Sequence, residues 1–134
     1  MAGNRANDRS CVLRVSAGNH HVLLPGDIER AAEQRLLVEL GSALQADVLI
    51  VPHHGSITSS SPGFLNRVNP GLALVSNGYL NRYRHPSPVV MSRYRSRGIE
   101  VMETANHGAI SFILDQSGIS VVRSRRADQA RIWR

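Results

Sequence analysis

Lysine is missing from this chain: all 16 basic residues are arginine, set against 10 acidic ones for a formal charge of +6. So uniform a replacement is a compositional property of the kind a GC-rich genome gives, and arginine frequency alone is no argument for phosphate binding. Cysteine is nearly absent as well. Cys11 is the only one, which excludes an internal disulfide, and within Ser10-Cys-Val-Leu-Arg-Val15 it is expected to be a buried small hydrophobe. No apolar run approaches the roughly 18 residues that a membrane span needs. Residues 1–7 are polar and lack the apolar stretch of a secretory signal, so the chain is expected to be soluble. At 134 residues with 42% hydrophobic content it is expected to form one domain with a real core.

What is present is a set of apolar runs that end abruptly in polar groups. Asp47-Val-Leu-Ile-Val-Pro-His53-His54-Gly55-Ser56 closes on two histidines, a glycine and a hydroxyl. Val22-Leu-Leu-Pro-Gly26-Asp27 closes on a carboxylate, and Leu72-Ala-Leu-Val-Ser76 leads into a polar loop ending at His85. Buried strands of α/β proteins read as continuous Val/Ile/Leu runs, and their carboxyl ends are where such folds place ligands. The three strand ends are therefore expected to meet in one site.

The pattern between these runs predicts an α/β fold with a mixed sheet and helices. Residues 10–16 and 20–25 read as a hairpin turning at Ala17-Gly-Asn19. From 28 to 44 the spacing of Ala32, Leu36, Leu40 and Leu44 marks one face of a helix. Strands follow to Pro52 and over 72–76, with a short helix capped by Ser61 and started by Pro62 between them. Ser87-Pro88 repeats that signature for a helix running to about Arg97 and stopped by Gly98. Three strands close the chain, over 99–103, 109–115 and 118–123, joined by Asn106-His-Gly108 and Gln116-Ser-Gly118. Residues 1–123 are expected to form the domain and 124–134 a disordered basic tail.

The candidate chemistry can be weighed residue by residue. Asp27 can either cap the helix that begins near Ile28 or bridge two cations, since its two oxygens point in different directions from one compact group. His53 and His54, between a proline and a glycine, suit metal ligation or proton transfer near neutral pH. His85 adds a third imidazole, restrained by Pro86. His20, His21 and His107 lie in turn-like positions and read as ordinary surface residues. Arginines cluster at Arg82, Arg84, Arg93, Arg95 and Arg97 and again at Arg123, Arg125, Arg126, Arg131 and Arg134; basic surface of that kind attracts polyanions, nucleic acid first among them.

The order of these pieces is more specific than any one. Gly-Asp, then strand-His-His-Gly-Ser, then Asn-x-Tyr-x-His-Pro, with 26 residues from Asp27 to His53 and 32 from His53 to His85, resembles the metallo-β-lactamase superfamily. More narrowly it is similar to the C-terminal domain of ComEC-type DNA-internalisation proteins. The matching stretches are Asn7-Asp-Arg-Ser-Cys-Val-Leu13, Leu23-Leu-Pro-Gly-Asp27, Ala46-Asp-Val-Leu-Ile-Val-Pro-His-His-Gly-Ser56 with Thr58-Ser-Ser-Ser-Pro62, and Ser76-Asn-Gly-Tyr-Leu-Asn-Arg-Tyr-Arg-His-Pro86.

The resemblance implies that Asp27, His53 and His85 contribute to a centre of two divalent ions, zinc or manganese. It also implies that His53 or His54 is a ligand or the proton donor to a leaving oxygen, the two roles remaining open. Ser56, Asn81, Arg82 and Arg84 would then contact substrate, and the substrate would be DNA. Metal-bound hydroxide attacking phosphorus in line is the chemistry of such centres. The parent would be a bacterial inner-membrane protein with this domain on its outer face.

One departure matters. The superfamily's His-x-His-x-Asp-His run, or its Asp-containing variant, is not found upstream of Asp27. The sequence thus reads as the second half of an αββα sandwich, expected to be inactive or weak alone. It is either the C-terminal part of a phosphodiester hydrolase used in transformation, or a non-catalytic module binding DNA or a partner. A stand-alone esterase-type hydrolase fits less well, because the first ligand cluster is missing.

Overall fold

The computed structural model describes residues 6–125. Its centre is a five-stranded mixed sheet in the order β1-β2-β3-β4-β5. The strands are β1 (Leu13–Ala17), β2 (His20–Leu24), β3 (Val48–Ile50), β4 (Leu72–Val75) and β5 (Glu100–Glu103). β1 and β2 pair antiparallel through the expected hairpin, with Val15 opposite Val22. β2 through β5 then run parallel, so their carboxyl ends share one edge of the sheet.

Helices fill the connections: α1 (Arg30–Leu40), α2 (Pro62–Val68) and α3 (Pro88–Arg95). Along the parallel strands the side chains alternate between two cores, as a period of two requires. Leu23, Leu49, Ala73 and Val75 face the helices and pack with Ile28, Leu44, Phe64, Leu65, Val90 and Tyr94. Val22, Val48, Leu72 and Leu74 face the other way and meet Phe112, Leu114 and Ile119 of a separate two-stranded hairpin. That hairpin is β6 (Ile110–Asp115) with β7 (Gly118–Ser124), reached through a one-turn helix α4 (Thr104–His107). Both faces of β3 and β4 are thereby covered, which is why those segments are apolar at every position. Each fully buried Leu or Phe in these layers stabilises by about 2–3 kcal/mol.

The expected α/β class and mixed sheet are what the structure shows, and the departures are local. The first helix stops at Leu40 rather than 44, because Gly41 adopts φ 48 and turns the chain into a 3-10 segment over Gly41–Leu44. Leu44 is still buried, while Leu40 is left 46% exposed. Ser61 and Ser87 do stand at helix N-caps with prolines behind them, yet neither hydroxyl makes a capping bond. Asn106 and His107 lie in α4 rather than in a plain turn. Cys11 is exposed, not buried: it precedes β1, which is an edge of the sheet among the described residues. Of the expected tail, residues 126–134 lie outside the described residues. No helix among the described residues is long and apolar enough to cross a membrane.

Candidate functional site

The parallel strand ends deliver the polar groups to one edge, each through its own device. After β2, Gly26 takes φ 64, and a Cβ there would come within 2.9 Å of the Ser10 Cβ. Only glycine permits that approach, and it lets the Asp27 N–H donate to Ser10 Oγ at 3.1 Å. Asp27 does not cap the first helix; that position falls to Glu29. Its carboxylate is left 47% exposed toward the histidines.

After β3 the backbone enters the left-handed region at three successive residues: His53 at φ 48, His54 at φ 55 and Gly55 at φ 83. For L-residues this costs about 1–2 kcal/mol each, and strain of this kind collects at functional sites. The turn is held by His53 N–H to Gly26 C=O at 3.1 Å, Ser56 N–H to His53 C=O at 2.9 Å and Ser87 N–H to Gly55 C=O at 2.9 Å. The two rings diverge. His54 Nδ1 donates to the Ser76 carbonyl at 2.7 Å, which places the Nδ1 hydrogen and leaves Nε2 3.6 Å from Asp27 Oδ1. His53 turns inward, with Nδ1 3.5 Å from Glu29 Oε1 and 3.4 Å from Thr58 Oγ1. Its Nε2 lies 3.5 Å from the Asn7 amide nitrogen, and Asn7 in turn donates to Glu29 Oε1 at 3.1 Å.

After β4 the chain makes the polar loop. Asn77 ties it to the end of β5: its amide donates to Glu103 Oε2 at 2.9 Å, its Oδ1 accepts from Ala105 N–H at 3.1 Å, and its own N–H donates to Thr104 Oγ1 at 2.9 Å. Asn81 grips His85 at both backbone groups, donating to its carbonyl at 2.7 Å and accepting from its N–H at 3.0 Å. The His85 ring then stacks on Tyr83, centroids 5.8 Å apart at 17°, and meets His53 edge-on at 5.9 Å. Burial, and after it the electrostatic influence of His53 and His54, holds the His85 pKa below the ordinary histidine value. Arg82 lies over the Tyr83 ring, 4.7 Å from its centroid, completing a column Arg82, Tyr83, His85, His53 that runs from solvent to the strand ends.

The structure therefore brings Asp27, His53, His54 and His85 to one edge, in two pairs: Asp27 with His54, and His53 with His85. Arg82 and Arg84 are exposed beside them. Ser56 is buried, and its hydroxyl is engaged with Thr58 Oγ1 at 2.9 Å, bracing the turn from within. Asn81 is occupied by its own loop. His20 and His21 are half-buried around Asp47, which accepts from the His21 N–H at 2.7 Å. Glu29, Asn7, Asn77, Glu103 and Tyr83 escaped the sequence reading. Glu29 was hidden by the helical spacing that follows it, while Asn7 and Tyr83 sat inside matched stretches without being singled out.

A metal centre is the natural test of such an edge. Two donors on one tetrahedral ion at about 2.1 Å stand about 3.4 Å apart, close to the 3.6 Å between Asp27 and His54. Beyond that pair the fit fails: among the described residues no group of three or more His, Cys, Asp or Glu could hold an ion. A two-ion centre needs donors that these residues do not supply.

Comparison with known proteins gives this edge a context. The chain is 44% identical over 119 residues to competence protein ComA of Neisseria gonorrhoeae, covering 89% of the chain and 17% of that protein. The chain is homologous to one segment of competence proteins. It is also 37% identical over 119 residues to recombination protein 2 of Haemophilus influenzae, and 35% identical over 106 residues to ComE operon protein 3 of Bacillus subtilis. These matches cover 89% and 79% of the chain, but only 15% and 14% of those proteins. The chain thus spans less than a fifth of the length of the competence relatives it matches. No protein-family model matches it.

Proposed function

We propose that this chain is the DNA-facing part of a hydrolase domain of metallo-β-lactamase type within a DNA-uptake protein used in transformation. The observation that carries the reading is the Asp27–His54 pair on neighbouring parallel strands, 3.6 Å apart with the far side of the imidazole fixed on Ser76. A lone pair aimed at a carboxylate is unfavourable unless a cation or proton lies between them, and the competence relatives supply the setting. The metal donors lacking here would come from the rest of the parent, which we place in the bacterial inner membrane with this domain outside. Zinc and manganese both suit imidazole and carboxylate together.

Within the chain, His53 is the better placed to handle a proton, because Glu29 and Thr58 orient Nδ1 from the protein side. His54 is the better placed as a ligand, since its Nδ1 hydrogen is held by Ser76 with Nε2 free to coordinate. Arg82 and Arg84 would neutralise phosphates at the rim. The test is the parent protein with Asp27→Ala and, separately, His54→Ala, assayed for DNA hydrolysis and for transformation frequency. Loss of about 10²-fold or more in hydrolysis by either is expected for an ion-centred site. Unchanged hydrolysis would remove the assignment. The sparse donor set favours a second reading, a module that only holds DNA; it predicts intact binding and no hydrolysis from the parent before any substitution.

A further inference from the structure

The loop between β4 and α3 carries more apolar surface than a phosphate clamp would need. Tyr79 is 72% exposed, Leu80 85% and Tyr83 64%, and two arginines lie among them at 82 and 84. Exposed aromatics are costly to leave in water, and these sit on a loop that is firmly tied. Asn81 bridges the loop to Gly78 and to both backbone groups of His85. Leu80 and Arg84 are held at φ 51 and 53, a conformation that is an outlier for a bulky side chain. The loop lines an open cleft of about 610 Å³ together with Glu103 and Asn106. Glu103, the acidic group facing that cleft, is bonded to the Asn77 amide.

We propose that this loop is a stacking platform that takes unpaired nucleotides, so that the site is served by a single strand rather than by intact duplex. The inference rests on the DNA reading above and narrows it. Bases in a duplex have their faces already covered, whereas a strand with free bases can lay them on tyrosine rings, and every base has such a face. Tyr79 offers an open ring. Tyr83 is stacked on His85 and overlaid by Arg82, so a base entering there lies on the Arg82 guanidinium that the Tyr83 ring supports and extends a column that ends at His53. The guanidinium of Arg82 is itself a planar stacking surface beside a positive charge for the adjoining phosphate. The same column thus gives a strand a direction, from the loop tip toward the strand ends where Asp27 and His54 stand.

The experiment is fluorescence anisotropy of the full chain at low salt with three labelled probes of equal length: oligo-dT, an abasic strand and a duplex. Oligo-dT is expected to bind more tightly than the abasic strand, which has the phosphates without the bases. Tyr79→Ala and Tyr83→Ala should each weaken oligo-dT by about fivefold or more and leave the abasic strand and duplex unchanged, while Tyr83→Phe, which keeps the ring and loses only the hydroxyl that accepts from Arg82, should weaken it less than Tyr83→Ala does. Both tyrosines are largely outside the core, so truncation leaves folding intact, which circular dichroism would verify. If the Ala variants bind oligo-dT as well as the parent chain, or the abasic strand binds equally, the platform is refuted while DNA binding stands. If none of the three probes binds, the DNA reading and the platform fall together.

Discussion

Asp27 Oδ1 and His54 Nε2 lie 3.6 Å apart, each at the carboxyl end of its own strand, and the Ser76 carbonyl at the end of a third strand fixes the imidazole between them. Three parallel strands thus determine one ligand direction. Two donors are short of the four that zinc takes, so the chain by itself should bind Zn²⁺ or Mn²⁺ weakly. Calorimetric titration is expected to show that weak binding, and Asp27→Ala or His54→Ala should each abolish it. His21→Ala, on the same sheet but at the other end, should leave it intact. Retention of binding in His54→Ala would show that the ion sits elsewhere.

Arginine on a loop is evidence of nucleic-acid binding only if its effect scales with salt. Arg82 and Arg84 are exposed beside the site, and each phosphate neutralised on a single strand adds about 0.7 to the slope of log K against log salt. Arg82→Ala together with Arg84→Ala is therefore expected to lower that slope by about 1.4 on oligo-dT. A slope identical to that of the unaltered chain would mean the loop arginines do not contact phosphate.

Much of this architecture is legible in the sequence because its signals are local. Apolar runs ending at Pro25 and Pro52, proline after serine at 61–62 and 87–88, and glycine at the hairpin turn are decided by neighbours a few residues away. What escaped depends on long-range closure. Glu29 becomes the partner of His53 only because β2 and β3 lie side by side, and nothing in Ile28-Glu-Arg30 separates it from an ordinary helix start. Cys11 sits in an apolar stretch that reads as core, yet the strand it leads into is an edge with Leu13 and Val15 exposed. Tyr83 is the local exception: it stacks against His85, two residues on, a contact set by the loop's conformation that no periodicity announces.

Glu33 gives a prediction about stability between acid and neutral pH. It is fully buried in α1 and accepts the N–H groups of Ser60 and Ser61, at 2.6 and 2.9 Å. Burial raises its pKa above the ordinary 4.5, against the lowering effect of those bonds. The folded state therefore holds the proton more tightly than the unfolded chain. Its contribution is fully present below pH 4.5 and is lost as pH rises through the raised folded value. Urea midpoints measured from acid to neutral pH should fall across that window in the native chain. Glu33→Gln, which resembles the protonated form, should be flat over the same window. Parallel curves for the two proteins would show that another group governs the dependence.

Gly55 is where the histidine turn touches the His85 loop, and the contact leaves no space. A Cβ at Gly55 would stand 2.5 Å from the Pro86 Cβ and 2.9 Å from its Cα, on a residue whose φ is already 83. Gly41 offers a control without contacts: its backbone, at φ 48 and ψ −120, is also one that favours glycine, but nothing lies within 4 Å of the added atom. Gly41→Ala should cost only the conformational part, about 1–3 kcal/mol. Gly55→Ala should cost that and a further ~1–3 kcal/mol of overpacking, visible as a lower Tm in calorimetry. Because the strain is relieved by pushing Pro86 away, the same substitution should separate His85 from His53 and disturb both ring signals in NMR spectra, which Gly41→Ala should leave alone. Equal losses of stability in the two variants, with the histidine signals unmoved, would mean that the loop yields freely and that the two histidine elements are not locked together at this contact.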